Sequence, residues 1–114
     1  MEDTRLQPIA KIPAKARIVS AFHTLNFSVL EPSKDVFDLV GVRDRNIATV
    51  EDKKRGIALH SIIKLHGNKV YIPIPKAFHM FYERGEEVGI VITILPTVKN
   101  VTRPKVVKAT GETA

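Results

Sequence analysis

A chain of 114 residues with 44% hydrophobic content has room for one compact domain and too much apolar surface to stay unfolded. The absence of cysteine excludes disulfides, thiolate metal sites and thiol nucleophiles, and no apolar run approaches the ~20 residues that span a bilayer. Eighteen Lys and Arg against twelve Asp and Glu give a net charge of +6, which favours a polyanionic partner; half of the excess falls in residues 96–114.

The polar start Met1-Glu2-Asp3-Thr4-Arg5 does not read as a signal sequence, so a cytoplasmic protein is expected. The opening stretch to Lys15 holds Pro8 and Pro13 without a sustained period and reads as an irregular arm. From Ala14 to Leu25, the residues Ile18, Phe22 and Leu25 recur at helical spacing behind Pro13, a good first-turn residue, and a short helix is expected. Arg17-Ile18-Val19 and Phe27-Ser28-Val29-Leu30 are equally compatible with strand. Glu31-Pro32-Ser33-Lys34-Asp35 supplies turn residues. The stretches 36–42 and 46–50 then read as two short strands, joined into a hairpin by Arg43-Asp44-Arg45. The mixed-sign run from Glu51 to Gly56 reads as a solvated turn.

The clearest pattern follows. Ile57, Leu59, Ile63 and Leu65 share one face of an extended segment, and His60, Lys64 and His66 share the other. Gly67-Asn68 has turn chemistry, after which Val70, Ile72 and Ile74 resume the alternation with Lys69 and Tyr71 opposite, predicting a second hairpin. Pro73 and Pro75 end it, because proline cannot donate to a ladder. Phe78, Phe81 and Tyr82 are spaced as on a short helix, and Gly85 is placed to cap it. Residues 88–95 are nearly all apolar and β-branched, as required of a strand covered on both faces, within a sheet or across a subunit boundary. Lys99, Arg103, Lys105 and Lys108 then lie in a stretch without period, read as a flexible basic tail.

Catalytic chemistry finds little support. His60 and His66 share a strand face but lie ~20 Å apart, too far for one metal. Asp35 and Asp38 with a histidine would make a metal-dependent nuclease only if all three converged, and turn or cap roles suit the two aspartates better. No phosphate loop, nucleophile elbow or paired-histidine motif is present. No catalytic residue, metal or cofactor is expected.

Residues 61–95 resemble the AbrB-like swapped-hairpin family, which includes transition-state regulators and MazE-type antitoxins. The resemblance rests on Gly67, Lys69, Val70, Ile72 and Pro73 in the first half of the motif, and on Glu86 and Val88 in the second. Asn68 lengthens the turn, Pro75 and Lys76 stand where the family has helix formers, and Phe78, Phe81 and Tyr82 replace its leucines. The resemblance implies a homodimer of interleaved hairpins that binds duplex DNA. Lys64, His66 and Lys69 would then meet phosphates, joined by Arg43, Arg45 and the bases of the tail, while Phe78, Phe81, Val88, Ile90, Ile92 and Ile94 would form the dimer interface. The remainder resembles, in style only, small orphan proteins of thermophilic archaea and their viruses.

The expectation is thus a β-rich α+β domain over residues 1–95 with one or two short helices, acting as a dimeric DNA-binding regulator or accessory factor. The rival reading is a structural or protein-interaction module of a virus or mobile element, whose charge serves solubility.

Overall fold

The computed structural model describes residues 9–96. Its strands are β1 (Ala10–Ala21), β2 (Thr24–Glu31), β3 (Asn46–Asp52), β4 (Ile57–His66), β5 (Lys69–Pro73) and β6 (Glu87–Ile94). A short helix α1 (Lys34–Leu39) and a 3-10 helix (Lys76–Phe81) interrupt them. Each strand pairs antiparallel with two neighbours, and the order β1-β2-β5-β4-β3-β6 returns to β1 as a closed barrel.

This corrects the α+β expectation: 57% of the described residues are strand and 14% helix, and the helices serve only as connections. Closure depends on β6, which pairs with both β1 and β3. Along β1, Ile12, Ala14, Ala16 and Ile18 alternate inward while Lys11, Pro13, Lys15 and Arg17 face water. The helix expected over Ala14–Leu25 therefore does not form. Its three apolar markers divide among β1 (Ile18), the β1–β2 turn (Phe22) and β2 (Leu25).

The strand expected over residues 36–42 is likewise replaced, by α1. Lys34 Nζ reaches Asp38 one turn on, at 3.1 Å, Phe37 is buried, and Gly41 takes the positive φ of +82° that ends the helix. Arg43-Asp44-Arg45 consequently joins a helix to β3 and is no hairpin turn. The strand at 46–50, the hairpin through Gly67-Asn68, the stop near Pro73 and the strand beginning near Val88 form where expected.

Ile18, Phe27, Ile63, Ile72, Ile92 and Ile94 are fully enclosed and fill the interior. One end of the barrel is closed by a polar network that contradicts the reading of residues 51–56 as a merely solvated turn. Asp52 is only 1% exposed. It accepts hydrogen bonds from Arg55 Nη1 (2.9 Å), the Arg55 backbone N–H (3.2 Å) and Tyr82 Oη (2.9 Å). The Arg55 guanidinium lies 4.8 Å over the Tyr82 ring, donates from Nε to the Phe81 carbonyl at 3.1 Å and pairs through Nη2 with Glu86. Burial pushes the Tyr82 hydroxyl well above its ordinary pKa, and its bond to the Asp52 carboxylate adds to the effect, so it remains a donor.

Glu86 is shifted the other way. The Glu83 backbone N–H, and then Arg55, hold its carboxyl below the ordinary value of 4.5 against the opposing effect of burial. A carboxylate with a lower pKa folded than unfolded stabilises the fold above the unfolded value, and that contribution is lost as pH falls through the folded one. The melting temperature is therefore expected to decline as pH drops below about 4.5, and Glu86→Gln should show a shallower decline in thermal melts. Equal slopes for the two proteins would remove Glu86 from the explanation.

Among the described residues no helix is long and apolar enough to cross a membrane.

Candidate nucleic-acid interface

The β4–β5 hairpin turns at Gly67-Asn68, where Gly67 has φ +63°, the left-handed conformation a two-residue hairpin turn needs at its first position. Its register sets Lys64 opposite Tyr71 and His66 opposite Lys69. Direct cross-strand partners point to the same side, so these four side chains form one outward patch while Ile63, Val70 and Ile72 fill the core. The basic outer face expected from the alternation is present.

The loop before β3 comes to the same end of the barrel. The Arg45 N–H donates to the Ile63 carbonyl at 2.6 Å, and Asp44 Oδ1 accepts from the Leu65 N–H at 2.8 Å, which fastens the loop along β4 beside Lys64. Arg43 and Arg45 are both exposed. Lys15 and Arg17 are paired with Glu87, Lys34 with Asp38, and Arg55 with Asp52 and Glu86. Lys64, Lys69, Arg43 and Arg45 take part in no ion pair among the described residues, so their charge is available to a ligand. Lys99, Arg103, Lys105 and Lys108 lie outside the described residues.

One member of the patch was hidden from sequence reasoning. Phe22 belongs to the two-residue turn between β1 and β2, yet its ring lies 5.3 Å from the Tyr71 ring and 5.6 Å from the His66 ring, edge-on to both. The His66 and Tyr71 rings are 6.5 Å apart. Lys64 Nζ sits 4.2 Å above the centre of the Phe22 ring, a cation–π contact worth about 0.5–1 kcal/mol at an exposed position. Phe22 and His23 both have positive φ, +54° and +64°. The signal available in the sequence was a pair of residues between two alternating segments, masked because neither is the Asn or Gly such turns favour.

The other candidate residues are dispersed or internal. Val88, Ile90, Ile92 and Ile94, expected at a dimer interface, are buried against the chain's own strands, so the cover their apolar strand needs is met within one barrel. Phe78 packs half-buried against the core, and only Phe81 of that set is exposed. Asp38 is engaged by Lys34, and no group of three or more His, Asp or Glu residues is placed to hold a metal among the described residues. His79 Nε2 lies 2.7 Å from the Ile74 carbonyl and 3.2 Å from Thr24 Oγ1, which ties the 3-10 helix to the barrel. His60 shares a hydrogen bond with Thr49 at 3.2 Å. The surface depressions are open; the one nearest the patch, about 240 Å³, runs between Ser28, Lys34, Asn68 and Lys69.

No protein-family model, curated protein or solved structure matches the chain.

Proposed function

We propose that the protein binds nucleic acid through the outer face of the β4–β5 hairpin. The observation that carries this reading is the gathering of Lys64, Lys69, Arg43 and Arg45 at one end of the barrel, without ion-pair partners among the described residues, around the exposed His66 and Phe22. Lys15, Arg17, Lys34 and Arg55 are neutralised by neighbouring carboxylates, whereas Lys64 lies over the Phe22 ring with no carboxylate partner among the described residues. Lysines and arginines in such an array meet phosphate oxygens, releasing counterions without reading sequence. Duplex DNA, the partner expected from the sequence, is one member of this ligand class. A second copy of the chain would double the array.

Four phosphate contacts give a salt slope near −3.6 on duplex DNA, so affinity should fall roughly a hundredfold between ~50 and ~200 mM salt. Lys64→Ala/Lys69→Ala should weaken binding and reduce that slope by about two. Fluorescence anisotropy with labelled duplex measures both quantities. A slope unchanged by the double substitution would move the interface elsewhere on the protein.

The protein-interaction reading draws on one observation, the 3-10 helix that leaves Met80 82% exposed beside the exposed Phe81. It predicts no binding of nucleic acid at micromolar protein.

A further inference from the structure

We infer that this face, if it binds nucleic acid as proposed above, takes an unpaired strand, with a base stacking on the Phe22–Tyr71–His66 cluster and Lys64 and Lys69 holding the adjoining phosphates. Backbone conformation is the first argument. The β1–β2 turn is closed by Ala21 and Thr24, with positive φ at both residues between them, a geometry that favours Asn-Gly. Here it is occupied by phenylalanine and histidine; histidine is among the residues that visit this region, whereas the bulky phenylalanine meets a steric cost there. Such strain is ordinarily offset by burial, yet Phe22 stays 41% exposed. The conformation thus keeps part of an apolar residue open to solvent, where a flat ligand can meet it.

The neighbours supply the second argument. Phe22 meets Tyr71 and His66 edge-on, an arrangement that groups three rings without stacking them on one another. Lys64 rests on the Phe22 ring. Its long stem lets the ammonium leave the ring for a phosphate when a base arrives, exchanging the cation–π contact for an ionic one and freeing the ring for the base. Inside a duplex, bases are stacked on each other, whereas in a single strand each presents a face to an aromatic side chain. Asn26 fixes the platform, its Nδ2 donating to the Ala21 carbonyl at 2.8 Å and the Thr24 carbonyl at 3.1 Å, on either side of the turn.

The test titrates full-length protein into labelled oligo-dT, oligo-rU and a mixed-sequence duplex at low salt, for the parent, Phe22→Asn and Phe22→Trp. Asparagine accepts positive φ and keeps the turn folded, which a thermal melt verifies. The parent is expected to prefer the single strands. Phe22→Asn should lower the ratio of single-strand to duplex affinity about tenfold, and Phe22→Trp should keep it. Tighter binding of dT or of rU assigns the strand to DNA or RNA, and equal binding assigns both. A parent that prefers duplex, or a ratio unmoved by Phe22→Asn, overturns the single-strand inference and leaves nucleic-acid binding standing. No binding of any of the three overturns both.

Discussion

Ile92→Ala is expected to lower the melting temperature by roughly 15–25 °C, from a loss of about 3–4 kcal/mol. Ile92 is fully buried at the middle of β6, between β1, where it pairs with Ile12, and β3, where it pairs with Val50. Both partners are themselves core residues. Truncation removes three carbons from a closed interior whose strands are held by hydrogen bonds on both sides, so the space left cannot collapse cheaply. The result separates a residue that fills its own barrel from one that joins two chains. In the barrel, the variant melts earlier while its sedimentation at low temperature matches that of the parent. A change in oligomeric state without the loss of stability would place Ile92 between chains instead.

The residues explain which parts of this arrangement could be read in advance. The β4–β5 hairpin was legible because Leu59, Ile63, Leu65, Val70 and Ile72 face inward and His60, Lys64, His66 and Lys69 outward, with a glycine turn between, and only Ala58, Ser61 and Ile62 blur the alternation. β1 obeys the same period, but three of its inward residues are Ala10, Ala14 and Ala16 and most of its outward ones are Lys or Arg. Those are good helix formers, and alanine gives little apolar contrast, so the chance helical spacing of Ile18, Phe22 and Leu25 prevailed. At 36–42 the error ran in reverse. Val36, Val40 and Val42 favour strand, while Asp38 paired with Lys34 and Gly41 at the helix end decide for α1.

Site residues divide along the same line. Lys64, His66 and Lys69 follow from alternation alone, since a strand with a buried face dictates what lies on the other. Phe22 does not, because its position depends on how the β1–β2 hairpin lies relative to β4 and β5, elements distant in sequence. Barrel closure is equally non-local. β6 has an apolar composition that demands cover, but nothing within it states that its edges pair with β1 and β3 of the same chain, so that the cover is the barrel's own interior rather than a partner.

Arg55→Met carries the other large effect, a stability loss of about 3 kcal/mol and a fall in melting temperature of roughly 15 °C. The substitution keeps much of the apolar stem over the Tyr82 ring and removes the charge, so it isolates the electrostatic part of the network. Asp52 is then left at the end of β3 as an enclosed carboxylate, with only the Tyr82 hydroxyl and the backbone N–H of residue 55 as donors. An unpaired buried charge costs more than the intact pair contributes, because desolvation remains after attraction is gone. Arg55 keeps part of its side chain in water, which places the effect at the lower end of that range. Asp52→Asn added to Arg55→Met provides the decisive comparison. The amide still offers an oxygen to Tyr82 but bears no charge, so the double variant should melt higher than Arg55→Met alone. If the two melt together, the loss arises from the missing contacts of Arg55 with Phe81 and Glu86, and the stranded charge at Asp52 is not its cause.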